Sequence, residues 1–374
     1  MVYSSQMRAA VGAVRHSFDA CGLGRQSDIY AQHGRHDVAP RAPLVLVACS
    51  GGRDSLALAH VAHTVAGMYG LRCGAVIVDH QMQDGSGDVA RKAATTAQSL
   101  GLAPVEVRVA NVSAAQVHRV GSEAAAREAR YTQLCAAAAE VGAAAVLVAH
   151  TRDDQVETVL LGMVRGSSSS AVAGMPRTFR RQGITFLRPL LDLTRDDTTA
   201  ICEQNGISWW DDPTNSPADA SSDAPLRSKI RSFVVPELER VVGPAIKDHI
   251  ALIAHSVRED QELLEEMAQK ALTEVTLTEE AEIERQGEDA SHECVALRLG
   301  AQRLAGVPRP VRLRVMRIAV ERCGAQATRA LLERIDALVT DWHGQSAVRI
   351  SSRLSVRRQG HVIELCQDRT HANS

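Results

Sequence analysis

The chain reads as an α/β protein: a parallel sheet with helices on both faces, followed by a smaller, mostly helical domain. Three observations predict this. Between residues 44 and 165, short apolar runs alternate four times with segments of helical periodicity, the pattern of strand and crossover helix that builds a parallel sheet. The first apolar run ends in a glycine pair, Gly51-Gly52, as a strand does when it turns sharply into a helix. At 374 residues the chain exceeds what one core usually organises, so two domains are the default. The expected divisions are 1–40 for an N-terminal helical extension and linker, 41–242 for the α/β domain, and 243–374 for the second domain, which ends in a hairpin.

Strands are expected at 44–49, 73–78, 105–109 and 144–149, with helices at 55–68, 88–100, 123–141 and 153–165. After the first strand comes Ser50-Gly51-Gly52-Arg53-Asp54-Ser55, and Leu56, Leu58, Ala59 and Ala62 then recur at helical spacing. A strand-to-helix turn of this kind exposes the first free amides of the helix, and glycine lets an anion approach them without a Cβ in the way. The turn is suited to phosphate. It lacks the lysine of a Gly-Lys-Ser/Thr loop, so it is not of the Walker type. An ordinary glycine turn capped by Asp54 is the plainer alternative, but the whole hexapeptide between strand and helix favours nucleotide.

In an open parallel sheet ligands bind beyond the carboxyl ends of the strands, and each further polar cluster falls at such an end. Asp79-His80 closes the second strand, where a turn cap is the simple explanation and proximity to the phosphate turn the functional one. Glu123, Arg127, Arg130 and Tyr131 share helical spacings after the third; a surface ion pair of Glu123 with Arg127 would contribute only about 0.3–0.5 kcal/mol, whereas an arginine turned over the sheet could fork onto a phosphate. His150, Asp153, Asp154, Gln155, Glu157 and Thr158 crowd the end of the fourth, and complementing a helix dipole accounts for Asp153 but not for the rest.

Composition narrows the class. The chain is 45% apolar, with no uninterrupted run long enough to span a bilayer and no apolar segment near its start, which predicts a cytoplasmic protein without membrane association. Eight cysteines, at 21, 49, 73, 135, 202, 294, 323 and 366, never form a Cys-x-x-Cys pair, against both a disulfide framework and a zinc site. Net charge is −2, but residues 256–293 carry net −10 and residues 301–360 net +8, a basic segment able to attract phosphate. In the second domain, 246–266 and 310–320 have helical spacing and 347–365 alternates like a hairpin, on which Arg349, Arg353, Arg357 and Arg358 could follow an RNA backbone. Residues 166–183 and 215–225 read as mobile loops, and at least one of Trp209 and Trp210 as core.

The hexapeptide Ser50–Ser55 resembles the pyrophosphate loop (PP-loop) of enzymes that split ATP between its α and β phosphates, which implies a Rossmann-like nucleotide-binding fold for 41–242. The motifs in their order resemble the tRNA(Ile)-lysidine synthase family, continuing through Arg165-Gly166-Ser167, Gly174-Met175, Arg188-Pro189-Leu190, Asp212-Pro213-Thr214-Asn215, Arg227-Ser-Lys-Ile-Arg231 and Pro236-Glu237-Leu238. Ser168 and Ser228 depart from a glycine and an asparagine usual in that pattern. The resemblance implies ATP-dependent attachment of free L-lysine to the wobble cytidine of the CAU anticodon of tRNA(Ile). It implies that Ser50, Gly51, Gly52, Arg53, Asp54 and Ser55 bind ATP, with Asp54 at the Mg²⁺ end, and that Arg130 and His150 stabilise the transferring adenylyl group. Asp79, His80, Arg127, Asp154 and Glu157 are further candidates for the pocket, and Arg227 and Arg231 for tRNA phosphate, with 243–374 as the tRNA-binding domain. The assembly is open, with a homodimer as one option. A tRNA sulfurtransferase with the same nucleotide domain is the nearest alternative, disfavoured by the missing cysteine pair; a nucleotide sensor without catalysis is a third.

Overall fold

The computed structural model describes residues 3–32, 36–81, 85–111, 122–166, 169–211, 224–277 and 293–368. The chain divides into two compact units, Met1–Arg258 and Glu259–Ser374. The sequence pattern puts the boundary at 242/243, whereas the two compact units meet at Arg258/Glu259, inside the helix Ile246–Val275.

The first unit is built on one sheet. Its strands are β1 (Leu44–Ala48), β2 (Arg72–Asp79), β3 (Val105–Val109), β4 (Ala145–Val148), β5 (Thr178–Arg181) and β6 (Ile184–Leu187), in the order β3-β2-β1-β4-β6-β5. All neighbours pair in parallel except β5 with β6. Both β1 and β4 are continuous apolar runs, as strands covered on both faces must be. On one face the helix Arg53–Tyr69 packs against the helices Ser5–Ala20 and Arg195–Gln204, in a core that includes Phe18, Leu56, Val61, Val65, Ile77 and Leu147. On the other face Tyr131 and Leu134 of the helix Ser122–Glu140 meet Leu46, Val76, Val146 and Phe186. Met7, Ala10, Val11, Val14 and Phe18 recur at helical spacing and are buried, so the N-terminal helix belongs to the core of this unit.

Ala48 of β1 is level with both Val76 of β2 and Val148 of β4. The chain therefore leaves β1 and β4 at the same height, and the crevice where strand order reverses lies between Ser50 and His150. That is the position at which a doubly wound sheet binds its ligand.

Part of the segment read as a mobile loop is instead the β5–β6 hairpin. Its two-residue turn places Gln182 at φ +47° and Gly183 at φ +81°, the mirror-image turn whose twist matches the strands it joins. The helix Arg195–Gln204, also unforeseen, opens with Thr194, whose hydroxyl accepts from the Asp197 amide (3.1 Å) while the Asp197 carboxylate accepts from the Thr194 amide (2.9 Å). This reciprocal cap was written in the sequence as Thr-x-x-Asp.

In the second unit, β7 (Glu293–Gly300), β8 (Val348–Arg349), β9 (Leu354–Gln359) and β10 (Val362–Asp368) form an antiparallel sheet in the order β7-β10-β9-β8. The expected terminal hairpin is thus the centre of a four-stranded sheet. Its core joins Leu299, Val356, Ile363 and Leu365 with Val315 and Met316 of the helix Arg309–Arg322, Ile335 and Leu338 of Arg329–Thr340, and Leu272. A buried ion pair, Arg312 Nε to Asp336 Oδ1 at 2.6 Å, ties the two shorter helices together.

Candidate active site

At the end of β1 the turn is locked by its own serines. The Ser50 amide donates to Ser55 Oγ (3.1 Å), the Ser50 hydroxyl donates to the same oxygen (3.2 Å), and the Ser55 hydroxyl donates to the Gly52 carbonyl (2.8 Å). Gly51 has φ +82°, and a Cβ there would stand 2.9 Å from the Cβ of Ala93. Only glycine satisfies both conditions. The first backbone bond of the following helix runs from Leu56 N–H to Gly52 O (3.1 Å), so the amides before it have no partner within the helix. The result is a rigid cradle of donors at a positive helix end.

Asp54, in the first turn of that helix, takes a short hydrogen bond from the Thr198 hydroxyl and has Arg195 Nε at 3.7 Å from Oδ2. Burial pushes its carboxyl above the usual range, although Thr198 and Arg195 pull the other way. Arg195 also reaches Asp154 Oδ1 (3.7 Å) and Glu157 Oε1 (3.6 Å), bridging the carboxylates of two helices. Glu157 is 2% exposed and receives Arg231 in a forked contact, Nε to Oε1 at 2.6 Å and Nη2 to Oε2 at 2.9 Å. Arg227 Nε lies 3.3 Å from Glu157 Oε2, and its Nη2 donates to the Thr158 hydroxyl. Arg227 and Arg231 are four residues apart, on the same side of a helical stretch that passes from Leu226–Lys229 into a π turn at Ile230–Val234, which is why both face Glu157. Asp154 accepts from the Thr151 amide (2.9 Å) and hydroxyl (3.1 Å). Asp154 is held below the usual carboxylate range against the effect of burial, with Arg195, the Thr151 amide and Arg227 favouring its charged form.

The other wall of the crevice is cationic. Arg188 Nε donates to His150 Nδ1 at 3.2 Å. Burial drives His150 down to about 3, with Arg188, Arg130 and Arg127 adding to the shift and Asp154 opposing it. Arg127 and Arg130 flank the Tyr131 ring at 5.3 and 5.6 Å from its centroid. Burial, then Arg130, lowers His80, whose buried Nδ1 has no hydrogen-bond partner among the described residues. Asp79 accepts from the Gln81 amide (2.9 Å), in keeping with its plainer reading as a turn cap.

The structure therefore gathers Asp54, Asp154, Glu157, Arg227 and Arg231 into one charge network, and places Arg130 within electrostatic reach of Arg127, His150 and His80. The guanidinium groups of Arg227 and Arg231 are engaged with protein carboxylate and hydroxyl groups. Arg53 faces away from the cradle's serines, donating to Thr199 (3.1 Å) and lying 3.7 Å from Asp211. Sequence reasoning missed Arg195, Thr198 and the role of Arg188. The capping signal at Thr194 would have found the helix bearing the first two, and Arg188 stood in a quoted motif without a task. Trp209 packs on the core, whereas Trp210 is 38% exposed and gives its amide to Gly51 O (3.0 Å). Ser228 lies in regular helix. The side chain of Glu123, Ser168 and the Asp212–Asn215 motif fall outside the described residues.

A family model described as a PP-loop domain matches residues 28–238. The tRNA(Ile)-lysidine synthase of Bifidobacterium longum subsp. infantis is 47% identical over the whole of both chains. That of Bifidobacterium animalis subsp. lactis is 42% identical over all of this chain and 98% of its own. The Streptomyces coelicolor enzyme of the same name is 38% identical over 88% of this chain and 86% of its own. Among solved structures, the U34-tRNA thiolase NcsA from Methanococcus maripaludis, determined with its [4Fe-4S] cluster, superposes with a TM-score of 0.51 at 16% identity, covering 68% of this chain and 80% of its own. That last likeness is one of fold.

Proposed function

The chain belongs to the tRNA(Ile)-lysidine synthase family of PP-loop proteins, and we infer from this that it joins free L-lysine to C2 of the wobble cytidine in the CAU anticodon of tRNA(Ile). The carbonyl oxygen at C2 is a very poor leaving group. It is first made a good one: the oxygen attacks the α-phosphorus of ATP, AMP is transferred to it, and diphosphate leaves. The ε-amine of lysine then attacks C2, and AMP departs with the oxygen.

The single observation that carries this reading is the cradle at Ser50–Ser55, set where the strand order reverses between β1 and β4. Ser50, Gly51, Gly52 and Ser55 would hold the phosphates through backbone amides, with Arg53 at the rim. Asp54 fits Mg²⁺ as a single carboxylate, since that ion usually takes one or two protein carboxylates and completes its shell with phosphate and water. When bound it would neutralise phosphate charge. Arg130 and His150 would stabilise charge on the adenylyl group, with Arg127, Asp79 and His80 in the same pocket.

The lysine amine presents the second problem. Its ordinary pKa of about 10.4 means that the free base costs about 4.6 kcal/mol at neutrality. Arg195, Arg227 and Arg231 pair with Asp154 and Glu157, offsetting the carboxylate charge that would otherwise favour the ammonium form of the amine. Asp154 and Glu157 are our candidates, by position, to orient the amine or take its proton. Contact of Arg227 and Arg231 with tRNA phosphate would exchange their present bonds for bonds to RNA. We further propose that the enzyme acts in the cytoplasm.

Incorporation of radiolabelled lysine into an isoleucine tRNA transcript tests the reading. ATP-dependent labelling is expected for wild type, with losses on the order of 10²-fold or more in Asp54→Ala, Arg130→Ala and His150→Ala. Labelling without ATP, or labelling unaffected by Asp54→Ala, would refute it.

A further inference from the structure

The geometry points to Arg188 as a positioning residue for the adenylation step: by donating to His150 Nδ1, it holds that imidazole as the Nε2–H tautomer, so that His150 serves as a neutral hydrogen-bond donor. The assignment of tautomer stands on the structure alone; the step it serves rests on the function proposed above.

An arginine Nε–H can only donate, so the ring nitrogen facing it must carry a lone pair. At 3.2 Å, Arg188 Nε faces Nδ1, which leaves the ring proton on Nε2. Arg188 is itself fixed on three sides. It is 5% exposed, its Nη1 donates to the Pro176 carbonyl at 2.7 Å, and its guanidinium lies 4.0 Å from the centroid of Phe179. Phe179 in turn stacks on Phe186, at 4.9 Å between centroids, across the β5–β6 hairpin. Arg188 follows β6 directly and His150 follows β4 by one residue, and these strands are parallel neighbours with Leu147 level with Leu187. The sheet register thus delivers the two side chains to the same end, side by side.

Among the described residues, the charged groups acting most strongly on His150 are Arg188, Arg130 and Arg127, with Asp154 opposing them. This surplus of positive charge disfavours an imidazolium. A general acid or a cationic clamp at this position would need the opposite balance, whereas a donor to developing negative charge needs only the Nε2–H. Cation and donor roles are therefore divided, the arginines carrying the charge and His150 the directional bond.

The test combines a spectrum with kinetics. In enzyme labelled with ¹⁵N-histidine, the His150 signals are identified by their loss in His150→Gln, and long-range proton–nitrogen correlations report which ring nitrogen is protonated. The expected pattern is a bare Nδ1 and protonated Nε2, unchanged from about pH 8 to about pH 5.5, across the ordinary histidine range. In Arg188→Met that pattern should become a mixture of tautomers. In single-turnover adenylation the same variant should lose on the order of 10²-fold in rate with little change in KM for ATP.

Glutamine places an N–H donor near the Nε2 position, so His150→Gln should lose less than about tenfold while His150→Ala loses on the order of 10²-fold. A protonated Nδ1 or an imidazolium in wild type would overturn the proposal. So would an unchanged His150 pattern in Arg188→Met, or a His150→Gln variant no better than His150→Ala. Were no adenylated cytidine formed by any form of the enzyme, the proposed function would fail while the tautomer remained measurable.

Discussion

Glu157 concentrates the electrostatics of the site in one residue: it is 2% exposed, and three arginines, Arg195, Arg227 and Arg231, converge on its carboxylate. Replacing it with glutamine keeps the shape but leaves those cations without their shared counter-charge. Breaking a buried pair in this way costs about 3 kcal/mol, so Glu157→Gln should unfold at clearly lower denaturant than wild type. An unchanged midpoint would show that the arginines are stabilised elsewhere. His150 gives the site a pH signature. Its pKa falls from the ordinary histidine value to about 3 on folding, chiefly through burial, so between those values the unfolded chain binds a proton that the folded chain does not. Stability should therefore decline as pH falls from about 6.5, and the decline should be shallower in His150→Gln; equal slopes in thermal midpoints would contradict the burial of a neutral ring. Residues at the ends of strands were legible because β1 and β4 are unbroken apolar runs that fix where Asp54 and His150 emerge. Arg195, Thr198 and Arg188 were not, since their chemistry depends on which strand and helix they land beside, and no local pattern encodes that.

At the scale of elements, the turn after β1 is the most constrained. Gly51→Ala must place a side chain at φ +82° and press its Cβ against Ala93, 2.9 Å away. The conformational part alone costs roughly 1–2 kcal/mol, and displacement of the turn should raise KM for ATP. Ala93→Gly in the same chain should recover the contact part but not the backbone part; full recovery would mean that the backbone strain is absent. Strand and helix existence in the first unit followed from periodicity, whereas the β5–β6 hairpin did not. Thr178-Phe-Arg-Arg181 and Ile184-Thr-Phe-Leu187 are four-residue strands interrupted by Gln182-Gly183, and a sequence rich in glycine and serine just upstream masks so short a signal. The sheet of the second unit was hidden for a related reason: β7 pairs with β10 across more than sixty residues, a partnership that no window of sequence displays.

Taken whole, the molecule pairs an ATP-binding unit with a second unit, several of whose arginines are engaged by carboxylates of that same unit. Arg317 binds Glu265 and Glu321 at 2.7 Å, Arg329 binds Glu333 at 2.9 Å, and Arg357 binds Glu364 at 2.9 Å. Arg358 donates to the carbonyls of Leu338 and Val339 and covers Trp342. Of the arginines expected to follow RNA, Arg357 and Arg358 are therefore committed to their own unit, while Arg353 is exposed. If that surface binds tRNA, Arg353→Gln should weaken affinity and reduce the salt slope by about one, and Arg358→Gln should instead lower the stability of the unit; an unchanged slope in Arg353→Gln would remove that residue from the interface. The most direct test of the whole account follows the phosphates. With purified enzyme, tRNA(Ile), lysine and ATP labelled at the α-phosphate, the cradle at Ser50–Ser55 should yield labelled AMP and unlabelled diphosphate, with label passing transiently through the RNA; labelled ADP with unlabelled orthophosphate would contradict it.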